Sequence, residues 1–152
     1  MRSMLAPIKI LLVEDSPDDV LLTEEALRHG RMANGMKVVR DGEEALDFLH
    51  QRGKFATELR PDLVLLDLNL PKMDGLEVLE EMKKSPRLRT LPVVALTTST
   101  AERDVLRAYD KHVNAYVTKP LDVAEFIRAV RAIEAFFLET VRLPMMRSIA
   151  TF

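Results

Sequence analysis

Leu63-Val64-Leu65-Leu66 is an unbroken apolar run, and Val93-Val94-Ala95-Leu96 repeats the pattern later in the chain. A strand with one face in water alternates apolar and polar residues. A strand covered on both faces does not, and these runs are too short to be buried helices. Both therefore read as strands of a parallel sheet with helices on either side. Working outward, residues 8–13, 36–39 and 115–117 are further short apolar segments. Between and after them lie stretches with Leu, Glu, Lys and Arg at helical spacing. Strand and helix alternate five times, which predicts a doubly wound (βα)5 sheet.

The helix starts are encoded locally. A capping residue followed three positions later by an acid occurs at Asp41 and Glu44, Asp74 and Glu77, Ser99 and Glu102, and Asp122 and Glu125. Ser16-Pro17-Asp18-Asp19 combines a cap, a first-turn proline and two acids. Each puts negative charge and a hydrogen-bond acceptor on otherwise unsatisfied N–H groups. Gly30 and Gly53 predict the ends of the first two helices, and Pro86 follows the third. Residues 53–60 are a longer polar connection, and residues 1–142 read as one domain with 143–152 as a C-terminal extension. Pro144 would end the last helix ahead of the apolar Met145, Met146, Ile149 and Phe152.

Composition narrows the function classes. The 152 residues carry 22 Lys and Arg against 24 Asp and Glu, so no basic surplus argues for nucleic acid. Cysteine is absent, which removes disulfides, thiolate metal sites and cysteine nucleophiles. No apolar run approaches the roughly 20 residues that span a bilayer. Lys9, Glu14 and Asp15 interrupt any signal-peptide core, so the expected location is the cytoplasm.

Ligands of open parallel sheets bind outside the carboxyl ends of strands, where the strand order reverses. With strand order 2-1-3-4-5, strands one and three meet there. Glu14 and Asp15 end the first, and Asp67 ends the third. Crowded carboxylates call for a cation, and an all-oxygen set favours Mg²⁺. Thr97 ends the fourth strand, and Thr118-Lys119-Pro120 the fifth. A carboxylate nucleophile, a hard cation, a hydroxyl and an ammonium are the parts that phosphoryl transfer uses.

These residues resemble the response regulator receiver domain of two-component signalling. The motifs are Val13-Glu14-Asp15, Leu66-Asp67-Leu68-Asn69-Leu70-Pro71 with Met73-Asp74-Gly75, Ala95-Leu96-Thr97, and Ala115-Tyr116-Val117-Thr118-Lys119-Pro120. They run in order over about residues 8–135. The resemblance implies a flavodoxin-like fold and a phosphoacceptor at Asp67. It implies Mg²⁺ held by Asp15, Asp67 and the Asn69 backbone carbonyl, with Glu14 helping through water. Lys119 would hold a phosphoryl oxygen, and the Lys119–Pro120 bond would be cis. Thr97 and Tyr116 would be the moving switch residues. Thr98 stands where a smaller residue is commoner, which bears on access to the acyl phosphate. The single domain, the 53–60 insertion and the tail resemble regulators paired with bacterial phytochrome histidine kinases. The implied partners are such a kinase and a downstream phosphotransfer protein.

Taken alone, Asp67 would read as a strand-end cap, Thr97 as a β-former, Lys119 as a solvated lysine and Tyr116 as a strand aromatic. Their joint placement is what points to chemistry. Asp74-Gly75 is explained by capping and turn formation, and His29, His50 and His112 read as solvated surface. A Mg²⁺-dependent aspartyl-phosphate phosphatase is disfavoured, because Asn69 occupies the position where such enzymes carry a general acid. A protein-binding module that never takes phosphate is disfavoured by the complete set of acids, hydroxyl and lysine. The last helix is apolar over about half its circumference, wider than a small monomer needs. The tail could fold back over this excess. The preferred expectation is a symmetric dimer through the faces of the last two helices, with Phe126, Ile133, Phe136 and Phe137 on the dimer face and the tail contributing.

Overall fold

The computed structural model describes residues 8–28, 35–137 and 143–144. His29, Gly30 and the apolar tail residues Met145, Met146, Ile149 and Phe152 lie outside them. Five strands, β1 (Ile10–Val13), β2 (Met36–Val39), β3 (Leu63–Leu66), β4 (Val93–Thr97) and β5 (Ala115–Thr118), alternate with five helices. The helices are α1 (Pro17–Leu27), α2 (Gly42–Leu49), α3 (Gly75–Lys84), α4 (Glu102–Asp110) and α5 (Val123–Ala135). The sheet is parallel with order β2-β1-β3-β4-β5, as the alternation predicts.

Burial follows the unbroken runs. Leu11, Val13, Val64, Leu66, Val93 and Ala95 point to one face, where α2 and α3 cover them. Ile10, Leu12, Leu63, Leu65, Val94 and Leu96 point to the other, beneath α1 and α5. Successive side chains of each strand thus enter opposite cores, which is why no polar residue is tolerated between them. Losing any of these Leu side chains to Ala would cost about 2–5 kcal/mol.

Four helix starts form as expected. Ser16, Asp41, Asp74 and Asp122 accept from the N–H groups of Asp19, Glu44, Glu77 and Glu125, and Asp74 with Glu77 closes a reciprocal capping box. Ser99 departs from the pattern. The cap position of α4 is Ala101, and the Ser99 hydroxyl donates instead to Asp104 at 2.5 Å. Asp104 lies in the first turn, so the loop captures its own helix acid and the backbone cap is lost. With Ala108 as its single buried residue, α4 is the helix least anchored to the core. The second helix stops at Leu49, ahead of Gly53. The chain turns at Gln51 (φ 56°), and Gly53 (φ 58°) opens a short 3₁₀ turn over Gly53–Phe55, whose Phe55 packs on Phe48.

The face of α5 corrects the predicted dimer surface. Phe126, Ile133 and Phe137 are buried in this chain's own core with α1, joined by Leu143. The wide apolar arc is consumed internally, because α5 packs against both the sheet and the neighbouring α1. Phe136 alone of the four is exposed, edge-on to Phe137. His50 is half-buried rather than solvated, and burial, aided by Arg52 and Arg87, holds its pKa below the ordinary range.

Candidate functional site

Backbone ladders carry the site residues to one edge. The Glu14 N–H donates to Val39 O, the Asp67 N–H to Val13 O and the Lys119 N–H to Thr97 O, continuing the sheet one residue past each strand. Gly75 sets the loop behind Asp67. A Cβ there would sit 2.6 Å from the Asp67 carbonyl oxygen and 2.6 Å from Leu68 Cα, both backbone atoms that cannot swing away. Gly75→Ala is expected to lower stability by about 1–3 kcal/mol. It also displaces the Asp67 loop, so the Asp67 and Asn69 amide resonances should move in a ¹⁵N spectrum while those of β2 stay. Asp74-Gly75 is therefore structural, as its turn chemistry indicates.

The convergence is complete for the acids and the lysine. Glu14, Asp15 and Asp67 each place one carboxylate oxygen within 4.8 Å of the others. Lys119 Nζ donates to Glu14 Oε1 at 2.5 Å, to Asp19 Oδ2 at 2.8 Å and to Asp67 Oδ2 at 3.2 Å. Glu14, Asp67 and Lys119 are buried, while Asp15 is exposed. The other oxygens are held by backbone: Ser16 N–H donates to Glu14 Oε2 and Asn69 N–H to Asp67 Oδ1. Thr97, fully buried, accepts from the Asn69 side-chain amide at 3.3 Å. Tyr116 is half-buried, and its hydroxyl donates to Ser99 O at 3.0 Å, in the loop that follows Thr97.

Two findings were not expected. The Lys119–Pro120 bond is trans; among the described residues no peptide is cis. An X–Pro amide separates its isomers by only about 0.5–1 kcal/mol, so nothing local dictates the choice. The second is Asp19, read from the sequence only as a first-turn acid. It stands in the first turn of α1, whose N-terminus opens beside the mouth, and its carboxylate reaches Lys119 there.

The electrostatics express an excess of carboxylate. Burial pushes the Glu14 pKa from 4.5 up to about 7, and the charge of Asp67 adds to the rise while Lys119 opposes it. Burial pulls Lys119 down, but its bonds to Asp19 and Glu14 and the charge of Asp67 prevail and hold it well above its ordinary value. A folded-state pKa raised above the unfolded one means that the folded protein binds the extra proton. Without metal, the Glu14 contribution to stability therefore falls as pH rises from about 4.5 through about 7. Lys119 stays charged in both states across that window and adds no slope. The metal-free protein should lose melting temperature between about pH 5 and 8, and Glu14→Gln should flatten that decline.

An all-oxygen group of three acids, two of them buried, fits a hard divalent cation. Residues 10–131 match the response regulator receiver domain family. The chain belongs to that family. It is 49% identical over 138 residues to response regulator Rcp1 of Synechocystis, covering 91% of this chain and 94% of Rcp1. Among solved structures it is similar to a phosphorylated cyanobacterial phytochrome response regulator, RcpA, with a TM-score of 0.88 and 48% identity over 91% of this chain and 99% of that one. The Mn²⁺-bound form of Rcp1 superposes with a TM-score of 0.86 at 48% identity, with the same shares covered. This receiver thus has phytochrome regulators among its near relatives, one of them bound to a divalent metal. Among its described residues no helix is long and apolar enough to cross a membrane.

Proposed function

We propose that this receiver is a switch that takes a phosphoryl group onto Asp67 from the phosphohistidine of a sensor kinase of the bacterial phytochrome type. The observation that carries the reading is the gathering of Glu14, Asp15, Asp67 and Lys119 around one point from separate strand ends. An Asp67 carboxylate oxygen attacks phosphorus, the P–N bond to the donor imidazole breaks, and the imidazole leaves with the electron pair. Lys119 donates to a phosphoryl oxygen. Asp15, Asp67 and the Asn69 carbonyl, with Glu14 behind them, would hold Mg²⁺, which would supply charge dispersal on the transferred oxygens.

The dianionic group on Asp67 then competes for the Thr97 hydroxyl, which Asn69 holds in the resting arrangement. Movement of Thr97 strains the adjoining loop, where Tyr116 is tied to Ser99, and α4 follows because so little of it is buried. Coupling of about 1–3 kcal/mol shifts partner affinity about five- to hundred-fold. The chain is a phosphoacceptor rather than a turnover enzyme, since Asn69 cannot protonate the leaving group of a phosphoester substrate as a general acid would. Output passes through a downstream phosphotransfer protein or a homodimer. Among the exposed apolar residues described, Leu106 and Tyr109 of α4, Val123 of α5 and Phe136 just past it are available to such a dimer.

The test is acetyl phosphate with Mg²⁺, read by intact mass and by phosphate release. One added phosphoryl group per chain supports the switch. Release over many turnovers would make it an enzyme, and no mass gain would make it a binding module. Transfer from a phytochrome kinase that changes between red and far-red light supports the pathway assignment, and transfer indifferent to light rejects it.

A further inference from the structure

The bond between Asp19 and Lys119 has no place in the scheme above. An ammonium has three N–H donors, and those of Lys119 are all engaged, by Glu14, Asp19 and Asp67. Two of these acceptors, Glu14 and Asp67, belong to the carboxylate group that fits a divalent cation, whereas Asp19 does not. A cation arriving there competes with Lys119 for the same oxygens and repels its charge at close range. If Lys119 had no other acceptor, its buried ammonium would be left unpaired, which is costly. Asp19 is also the partner most in contact with water, its side chain 27% exposed against 3% for Glu14 and 8% for Asp67. Its backbone is fixed in the first turn of α1 by the Ser16 cap and by the Thr23 hydroxyl, which donates to Asp19 O at 2.7 Å.

We infer that Asp19 is a positioning residue that retains Lys119 when the divalent cation takes over Glu14 and Asp67, so that metal and ammonium share the site. When a phosphoryl group reaches Asp67, the hydrated Asp19 carboxylate gives up its N–H most readily, and Lys119 is already beside the reacting atom. The inference rests on the reading of this cluster as the Mg²⁺ site.

The test is a double-mutant cycle on Mg²⁺ affinity, measured by calorimetry with the full chain. Asp19→Asn should weaken Mg²⁺ binding on the order of ten-fold. Asp18→Asn, an equal charge change on the exposed neighbour, should stay within about two-fold. In a Lys119→Met background most of the Asp19→Asn effect should vanish, because its purpose there is gone. An Asp19→Asn effect that is as large without Lys119 as with it, or no larger than that of Asp18→Asn, overturns the inference. If Lys119→Met does not fold, the Lys119 ammonium resonance decides. With Mg²⁺ bound it should stay protected from solvent exchange in the wild type and lose that protection in Asp19→Asn; equal protection in both overturns the inference. A wild type that binds no Mg²⁺ instead removes the underlying reading.

Discussion

Asp67→Asn should gain no mass from acetyl phosphate and Mg²⁺, and without metal it should melt above the wild type. The two effects have one origin. Glu14, Asp19 and Asp67 share a single buried lysine, Asp15 lies close to two of them, and Asp67 itself is 7% exposed. Removing one negative charge relieves repulsion while the Asn amide still fills the volume and its oxygen still accepts from Asn69 N–H. A gain of about 1–2 kcal/mol is expected, the common direction when a strained functional site is neutralised. Adding Mg²⁺ should reverse the order of melting. The wild type gains about 2.7 kcal/mol at a concentration one hundred times its Kd, and the variant, short of a ligand, gains far less. Thermal melts of both proteins with and without Mg²⁺ check this. A variant that melts below the wild type in metal-free buffer would contradict the electrostatic account of the site.

Lys119→Met should give the largest loss of stability of any single change at the mouth. Lys119 is the one cation shared by Glu14, Asp19 and Asp67, and Glu14 is 2% exposed. Breaking a buried pair by deleting one partner costs about 3–5 kcal/mol, because the remaining charge is left buried without compensation. Methionine keeps most of the volume, so the loss is electrostatic rather than a cavity. Urea unfolding therefore has a specific signature: a large fall in the metal-free protein that Mg²⁺ partly restores by supplying the missing positive charge. A loss that Mg²⁺ leaves untouched would point to packing. Phosphorylation of the folded variant should also be slow, since an oxygen of the incoming group loses its donor.

The unbroken runs Leu63–Leu66 and Val93–Leu96 made the architecture legible, because burial on both faces leaves its mark in composition before any contact is known. The caps at Ser16, Asp41, Asp74 and Asp122 were legible for a similar reason: each is a bond between residues three apart. Ser99 followed the same spacing and failed. Its hydroxyl had a second acceptor within reach in Asp104, and a pattern of single residues does not rank two local partners.

The apolar arc of α5 misled for a different reason. Periodicity reports how much of a helix is apolar, not what covers it, and here α1, the sheet and Leu143 take Phe126, Ile133 and Phe137. The isomer at Pro120 and the presence of Asp19 in the site are of the same kind. What the amino-acid order determined by itself is whatever depends on neighbours along the chain: strand and helix periods, caps, and which acids, hydroxyl and lysine stand at strand ends. What only the tertiary structure decided is how residues remote in sequence divide a limited set of partners, since three carboxylates competing for one ammonium is a fact of distance and burial that no local pattern contains.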